Sequence, residues 1–195
     1  MSASAAYFDG GGLDAIAVFP EEPGLLERGR RDGIDRLCVD CAARGELYQA
    51  GLKVSDIGAL LGACREQWGD PGPIVCDRWR EAELRQALRL AEFPVCPLVT
   101  RGKGFLDRGQ DVREFRRACL DGHVQAVRSL LLWSAISGAR VTSDAAGNAK
   151  LANGGQGRRT RCRDHAAAAA ILAVAEGQRR AAQAEARPAF QYAIV

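Results

Sequence analysis

Several residue types that mark common functional classes are scarce in this chain. Only two histidines and one methionine occur among its 195 residues, and only three lysines, at Lys53, Lys103 and Lys150. No apolar run approaches the roughly 18 residues that indicate a membrane span. The first residues show neither the basic region nor the apolar region of a signal peptide. These absences predict a cytoplasmic globular protein that is not anchored in a membrane.

Cysteine is more common, but its spacing does not suggest a shared task. The seven cysteines are scattered, and an odd number rules out complete pairing within the chain. Cys38-Val39-Asp40-Cys41 is a lone C-x-x-C pair with no second pair at zinc spacing and few histidines to add. Cys76 and Cys96 lie in apolar runs, where cysteine behaves as a small buried hydrophobe. The pattern favours neither structural zinc nor a disulfide framework.

Length and charge describe one domain with two unlike halves. With 47% hydrophobic residues, a chain of this length can bury one substantial core. Residues 1–100 contain 11 Lys and Arg against 16 Asp and Glu, whereas residues 101–195 contain 16 against 8. A basic half suits a polyanion such as DNA. It also suits an ordinary charged surface, and composition does not separate these interpretations.

The first part of the chain predicts a hairpin, two helices and a third strand. Strand-like runs at residues 5–8 and 13–19 flank the turn Asp9-Gly10-Gly11-Gly12, where glycine tolerates positive φ. The next elements are helices at residues 24–32 and 35–44 and a short strand at residues 46–49.

The middle of the chain alternates helices and strands. Apolar residues recur at helical spacing between Val54 and Trp68, and Ser55 is the candidate N-cap. The elements that follow are a strand at residues 73–77, a helix at 80–91 and a strand at 94–99. This order predicts two parallel strands joined by a crossover.

The last part of the chain predicts a mainly helical segment. Helices are expected at residues 111–121, 128–139 and 163–186, a strand at 140–143 and a loop at 147–157. Phe115 and Leu120 are expected to face inward, and Trp68 and Trp133 to lie in or near the core. The predicted domain covers residues 1–187, and the tail at residues 188–195 is expected to fray after Pro188.

Two aspartates lie where elements begin or end. Asp77 closes the apolar run Pro73-Ile74-Val75-Cys76, and Asp164 opens the alanine-rich final helix. Carboxylates delivered by a strand end and by a helix start can meet over one edge of a sheet, as a divalent-metal nuclease requires. Taken alone, Asp77 is also a plausible turn residue, and Asp164 a helix-start acid favoured by the helix dipole.

Five stretches carry a resemblance to a known family: LDAIAVFP at residues 13–20, IVCDRW at 74–79, EFRR at 114–117, DAAGNAK at 144–150 and RDHAA at 163–167. In this order they resemble the C-terminal nuclease domain of large terminase subunits, the DNA-packaging enzymes of tailed phages and gene-transfer particles. The resemblance extends from about residue 3 to residue 180. It implies a ribonuclease H-like mixed sheet flanked by helices, two Mg²⁺ or Mn²⁺ ions, and endonucleolytic cutting of concatemeric double-stranded viral DNA in the host cytoplasm.

The resemblance implies roles for particular acids. Asp77 matches the acid at the end of the family's fourth strand and would bridge both ions. Asp164 matches the acid that opens the last helix, where a second acid is frequent and this chain has His165 as a supporting residue. The family's first metal-binding aspartate has no match here, because Asp9 falls in the hairpin turn, so Asp9 is only a candidate third ligand.

The resemblance also implies partners. A portal protein and a small terminase subunit are expected to bind the assembled packaging machine. The chain contains no G-x-x-x-x-G-K-[ST] phosphate loop, so the ATPase domain is expected to be separate or missing and the first strand to be truncated. Such a truncation predicts low stability and leaves open whether another chain completes the first edge of the hairpin.

Basic residues near the predicted site suggest DNA contact. Lys150 and Asn148 precede the final helix, where a cation could reach the scissile phosphate. The expected DNA-contacting residues are Arg101, Lys103, Lys150, Arg158, Arg159 and Arg161. The alternatives are a solvated loop and an ordinary charged surface. Trp79 is expected to pack beneath the site.

Three functions are compatible with these features. The first is a Mg²⁺- or Mn²⁺-dependent DNA endonuclease domain of a phage-type large terminase. The second is a catalytically inactive prophage remnant or DNA-binding fragment of the same fold, which the unmatched first acid favours. The third is another ribonuclease H-like nuclease such as a resolvase. The absence of a dimerisation or sequence-reading module argues against the third.

Overall fold

A computed structural model confirms the mixed α/β class. The structure describes residues 3–70, 72–126, 128–152, 164–183 and 191–194. The strands are β1 (Ala3–Asp9), β2 (Gly12–Phe19), β3 (Leu47–Gln49), β4 (Ile74–Asp77), β5 (Leu98–Arg101), β6 (Gln125–Ala126), β7 (Val141–Ser143), β8 (Ala149–Leu151) and β9 (Gln191–Ile194). The helices are α1 (Leu25–Asp32), α2 (Asp35–Ala43), α3 (Ile57–Trp68), α4 (Glu81–Leu90), α5 (Phe105–Leu120), α6 (Leu130–Ser137) and α7 (Asp164–Gln183).

The main sheet has seven strands, and β1 runs in the opposite direction to the other six. The strand order is β3-β2-β1-β9-β4-β5, and β6 is a short additional strand that pairs with β2. β1 is antiparallel to both of its neighbours, β2 and β9, whereas β2–β3, β4–β5 and β4–β9 are parallel pairs. The predicted hairpin and the predicted parallel pair β4–β5 are therefore both confirmed. β7 and β8 form a separate antiparallel pair.

The C-terminal strand corrects the prediction of a frayed tail. Within the described residues β1 and β4 do not pair with each other, and β9 lies between them. Ala193 is level with Ala6 on one side and with Val75 on the other. The first edge of the hairpin is thus completed by the chain's own residues 191–194. The free N–H and C=O groups of two strand edges explain why an extended segment is held there.

The sheet is buried on both faces, because successive side chains along each strand point to opposite faces and both sets are apolar. Ile74 and Cys76 face a core cluster that includes Leu60 and Leu61 of α3 and Leu84 of α4. Val75 faces the opposite cluster, formed with Ala118 of α5, Leu132 of α6 and the alanines of α7. Alanine side chains let α7 approach the sheet closely over most of its length.

Several local predictions need correction. The helix expected at 111–121 begins at Phe105, and Gly109 does not interrupt it. An added Cβ at Gly109 would lie 3.1 Å from Cβ of Asn148, so glycine permits close contact between this helix and the β7–β8 pair. Asp56, not Ser55, caps α3 by accepting from the Ala59 N–H at 3.2 Å. The Ser55 hydroxyl instead donates to the Val18 carbonyl. β5 begins only at Leu98, because Pro94 and Pro97 lack the N–H that a strand ladder needs.

Large side chains on the surface also depart from the expectations. Trp68 and Phe115 pack against the two core clusters, as predicted. Trp133 is 67% exposed and Leu120 84% exposed, so neither belongs to the core.

Among the described residues, no helix is both long and apolar enough to cross a membrane.

Candidate functional site

The candidate site lies at the carboxyl end of β4. Alternation along β4 turns Asp77 to the same face as Val75, toward α5 and α7. Asp77 is 1% exposed and is level with Arg101 at the end of β5. A short 3₁₀ turn, Arg78–Arg80, follows at once and leads into α4. The sheet therefore delivers one carboxylate into a nearly closed position at its edge.

Two cationic side chains, those of Arg108 and Lys103, lie against the Asp77 carboxylate. The Arg108 guanidinium of α5 donates to Oδ1 in a direct ion pair, and the Arg108 side chain is only 13% exposed. Nζ of Lys103 lies 3.7 Å from Oδ2. Burial lowers the pKa of Arg108, and the Asp111 charge partly opposes that shift. Burial also lowers the pKa of Lys103, with a contribution from Arg80.

A second group of charges lies behind this pair and joins β5, α5 and α7. Asp111 of α5 is fully buried, 2.8 Å from Nη1 of Arg179 and 3.8 Å from Nε of Arg101. Glu176 lies 3.1 Å from Nε of Arg179 and 2.9 Å from Nε of Arg180. Burial raises the pKa of Asp111, and the neighbouring arginines oppose the shift. These contacts fix the charged ends of three elements around the site.

A basic loop with aromatic neighbours borders the site on its solvent side. Nζ of Lys150 donates to the Lys103 carbonyl at 3.3 Å and lies 4.3 Å from the ring centre of Phe105. Nζ of Lys103 lies 4.3 Å from the ring centre of Trp79. Trp79 is 56% exposed, which corrects its expected place beneath the site. Lys103 is itself 49% exposed, so this edge presents a cation to solvent beside the buried carboxylate.

The structure brings together some predicted residues and separates others. Lys103 and Lys150 converge beside Asp77, as DNA contacts would require. Arg101 points inward to Asp111 and Glu176, with 19% of its side chain exposed. Asn148 accepts from Arg113 and donates to Asp144 within the β7–β8 turn.

The predicted acids do not all reach this edge. β1 runs antiparallel to β9, and β9 runs parallel to β4, so Asp9 lies at the end of the sheet opposite Asp77. Asp164 is the first residue of α7, and the half-buried His165 follows it. The α7 residues that join the charge cluster are Glu176 and Arg179, about 18 Å and more further along the helix axis than Asp164. Arg158, Arg159 and Arg161 lie outside the described residues.

Sequence reasoning missed the residues that surround Asp77 most closely. Arg108 and Asp111 are spaced i, i+3 on one helix, a spacing that places two side chains on one face. That face also carries the buried Val112, which indicates an inward orientation. A helix that begins only at residue 111, as the sequence pattern predicts, leaves Arg108 outside it, and the pair then does not show in the sequence.

The described residues fit a divalent cation only in part. Asp77 supplies a hard oxygen ligand of the kind that Mg²⁺ and Mn²⁺ prefer. Both of its oxygens, however, already face cations. No group of three or more His, Cys, Asp or Glu side chains close enough to hold a metal ion occurs among the described residues. A divalent ion at Asp77 therefore has to displace Arg108 and Lys103.

Comparison with known proteins gives one informative match. The fold resembles the crystal structure of the HK97 bacteriophage large terminase with a TM-score of 0.76 and 24% sequence identity. The match covers 89% of this chain and 36% of that one, so the chain spans about a third of the length of the terminase. No family model matches the sequence, and no curated protein matches it. The similarity establishes a terminase-like fold.

Proposed function

We propose that this chain is the ribonuclease H-like nuclease domain of a phage-type large terminase, a Mg²⁺- or Mn²⁺-dependent endonuclease that cuts concatemeric double-stranded DNA during packaging. The observation that carries the proposal is the position of Asp77. It is a buried carboxylate at the end of an interior strand of the sheet, within a fold shared with a large terminase over 89% of the chain. Lys103 and Lys150 next to it provide cations for DNA phosphates.

The strand pattern supports the ribonuclease H-like part of the proposal. The chain begins with a hairpin and a short third strand, and a helix–strand–helix–strand unit comes next. A long helix then packs on the sheet. The sheet places β4 between β9 and the edge strand β5, so that both neighbours run parallel to it. In open α/β sheets, ligands commonly bind outside the carboxyl ends of parallel strands.

The residues of the chain would divide the work as follows. Asp77 is the proposed metal ligand at the end of β4, and metal ions bound there would supply an activated water and stabilise the leaving oxygen. Lys103 and Lys150 would hold the phosphate backbone without reading sequence. Arg101, Arg179 and Glu176 would keep β5 and α7 in place around the site.

The proposal is tested by nicking of supercoiled plasmid in the presence of Mn²⁺. We expect wild-type protein to nick, and Asp77→Ala to lose at least about a hundredfold in rate, as is common when a catalytic electrostatic group is removed. Asp164→Ala, measured in parallel, shows whether the acid at the start of α7 also takes part. Glu27→Ala is the matched control, because Glu27 is 69% exposed and its ion pair with Arg31 lies on the surface. Nicking that survives both aspartate substitutions would overturn the site assignment, and a four-way junction substrate tests the resolvase alternative.

A second candidate function is DNA binding without cleavage, as in an inactive remnant of the same fold. The observation that favours it is the pairing of Asp77 with Arg108 and Lys103, which leaves the carboxylate neutralised. Fluorescence anisotropy with duplex DNA in EDTA tests it. Lys103→Ala with Lys150→Ala should weaken binding and reduce its salt dependence, whereas Lys53→Ala should not. Binding that depends on these lysines, in a protein that never nicks, would establish this function.

The proposed partners follow from the terminase resemblance. A portal protein, a small terminase subunit and an ATPase domain on the same or another chain would complete the packaging machine in the host cell. Copurification of this chain with each candidate tests these associations one at a time.

A further inference from the structure

An exposed tryptophan lies at the edge of the sheet where Asp77 is buried. Trp79 follows Asp77 by two residues and is 56% exposed, although a tryptophan ring is among the side chains that gain most from burial. Cζ of Arg80 lies 5.0 Å from the centre of the Trp79 ring, and Arg80 is itself only 6% exposed. The buried guanidinium therefore holds the ring in a defined place while more than half of the side chain stays open to solvent.

A second cation, Lys103, lies over the same ring. Nζ of Lys103 is 4.3 Å from the ring centre and 3.7 Å from Oδ2 of Asp77, and the lysine side chain is 49% exposed. Burial and the Arg80 charge both lower the pKa of Lys103, and a phosphate beside the ammonium group would oppose that shift. If Lys103 turns toward solvent, Asp77 keeps its direct ion pair with Arg108. Lys103 can therefore exchange the ring for a phosphate without leaving a buried charge unpaired.

The combination of a ring and a lysine is repeated next to this pair. Nζ of Lys150 lies 4.3 Å from the ring centre of Phe105 and donates to the Lys103 carbonyl at 3.3 Å. Trp79, Lys103, Lys150 and Phe105 thus form one continuous strip, called here the lysine–aromatic strip. Exposure of a tryptophan does not by itself produce such a strip. Trp133 is 67% exposed, yet within the described chain no cation lies over its ring.

Single-stranded DNA is the ligand whose chemistry matches the lysine–aromatic strip. Proteins that bind single strands combine cations for the phosphates with aromatic rings on which the bases stack. Inside a duplex the faces of each base are covered by its neighbours, so a ring on the protein surface reaches only an unpaired or a terminal base. The two lysines favour a polyanion over an uncharged or a cationic partner.

We propose that Trp79 is a stacking platform for one unpaired DNA base and that Lys103 moves from the ring to the phosphate of that nucleotide, so that the domain binds single-stranded DNA at the edge where Asp77 lies. The inference deepens the proposed function and rests on its assignment of Lys103 to DNA phosphates. It gives the domain a preference for DNA with an unpaired stretch or an open end over fully paired DNA.

The test compares the affinity of the full chain for two kinds of DNA in EDTA. Fluorescence anisotropy measures binding of a labelled oligothymidylate of about 12 nucleotides, a length that one single-strand site can cover. A gel mobility shift measures binding of relaxed, covalently closed duplex DNA, which has no ends. Trp79→Ala should bind the oligothymidylate at least about fivefold more weakly, because one stacked base is lost. Its affinity for the closed duplex should stay within about twofold, because the phosphate contacts remain.

Two further variants of Trp79 separate stacking from simple apolar contact. Trp79→Phe keeps an aromatic face, so its affinity for the oligothymidylate should stay within about threefold of wild type. Trp79→Leu keeps an apolar side chain without that face and should lose as much as Trp79→Ala. Lys103→Gln should weaken binding of both kinds of DNA, since phosphates are common to them. Trp133→Ala is the matched control on α6 and should change neither affinity.

Several results would overturn the inference. They are a wild-type protein that does not bind the oligothymidylate, a Trp79→Ala variant that binds it as wild type does, and a Trp79→Ala variant that loses affinity equally for both kinds of DNA. If Trp79→Ala does not fold, as circular dichroism would show, the comparison of Trp79→Phe with Trp79→Leu still decides. Equal affinities of these two variants for the oligothymidylate overturn stacking.

The inference and the proposed function can fail separately. Single-strand binding that depends on the Trp79 ring, in a protein that never nicks DNA, supports the stacking platform and contradicts cleavage. Nicking that depends on Asp77, with single-strand affinity unchanged by Trp79→Ala, supports cleavage and overturns the stacking platform.

Discussion

At the scale of single residues, the molecule holds its buried carboxylates in two ways. Asp77 is paired with the side-chain cations of Arg108 and Lys103, of which Lys103 is half exposed. Glu46, which is 7% exposed, instead accepts from backbone N–H groups inside the fold. The first arrangement can be exchanged for another cation, whereas the second cannot. This difference separates a candidate functional acid from a structural one.

Stability measurements on Asp77→Asn report on that pairing. Since Arg108 loses a direct buried partner, we expect the free energy of unfolding to fall by about 1–3 kcal/mol in metal-free buffer. An acid that waits unpaired for a metal would give the opposite sign, because its removal relieves an uncompensated buried charge. Urea unfolding with EDTA present distinguishes the two, and a stabilised Asp77→Asn variant would contradict the ion pair.

Glu46 should be important for folding but not for DNA. Its carboxylate accepts from the N–H groups of Leu130 and Leu131 at 3.2 and 2.8 Å, at the start of α6. We expect Glu46→Ala to lower the free energy of unfolding by about 1–3 kcal/mol, because two partly buried donors lose their acceptor. Glu27→Ala on the surface should cost less than about 0.5 kcal/mol. Chemical denaturation of both variants, with DNA affinity unchanged for Glu46→Ala, checks this prediction.

At the scale of elements, β9 joins the two parts of the sheet. Within the described residues it is the strand that links the β1–β2 hairpin to the β4–β5 pair. All four residues of β9 pair with Ala5–Phe8 on one side, and three of them also pair with Ile74–Cys76 on the other. The end of β4, and with it Asp77, is positioned next to this short strand.

Proline at the centre of β9 tests its contribution. Ala193 is level with Ala6 and Val75, so Ala193→Pro removes an N–H from a strand that has neighbours on both sides. We expect a loss of about 3 kcal/mol in unfolding free energy, by analogy with proline in other hydrogen-bonded positions. Ala193→Gly keeps the N–H and should cost about 1 kcal/mol or less. Equal stabilities of the two variants would show that β9 does not pair as described.

At the scale of the whole molecule, buried neutral groups make stability depend on alkaline pH. Burial raises the pKa of Cys41 to about 12 and that of Cys76 to about 11, above the usual value near 9. Burial raises the pKa of Cys64 as well, and with the help of Asp9 it raises the pKa of Tyr7 to about 12. Unfolded chains lose these protons first, so stability is complete below about pH 9 and falls as pH rises toward about 12.

Urea unfolding in reducing buffer at a series of pH values between about 8 and 11 measures this fall. Each buried thiol should contribute up to about 1.4 kcal/mol per pH unit between its unfolded and folded pKa. The Cys64→Ala, Cys76→Ala double variant should show a shallower slope than wild type, whatever its stability at neutral pH. A wild-type stability that is constant over this range would contradict the burial of the thiols.

The sequence predicts the fold better than it predicts the site. The hairpin and the parallel pair β4–β5 follow from local periodicity, glycine turns and apolar runs, all of which are properties of neighbouring residues. The position of β9 depends on a contact between the chain's last residues and two distant strands, so no local pattern contains it. The exposure of Trp79 likewise depends on which neighbours reach it.

In the site, too, local features can be predicted from the sequence, whereas contacts between distant residues cannot. Asp77 at a strand end and the basic loop at Lys103 can be found by inspection, because position within an element suggests their place. The pairing of Asp77 with Arg108 depends on where α5 begins and how it packs, which the sequence pattern placed six residues too late. Charge pairing across elements is a property of the packed molecule, and it decides what Asp77 can bind.

The most direct test of the central claim is the position of Mn²⁺ in crystals of the full chain, located by anomalous scattering. The proposed function predicts a peak within about 2.0–2.2 Å of an Asp77 carboxylate oxygen, with Arg108 moved off Oδ1. A peak elsewhere, or none at Asp77 at Mn²⁺ concentrations that support nicking, would contradict the assignment of Asp77 as the metal-binding acid.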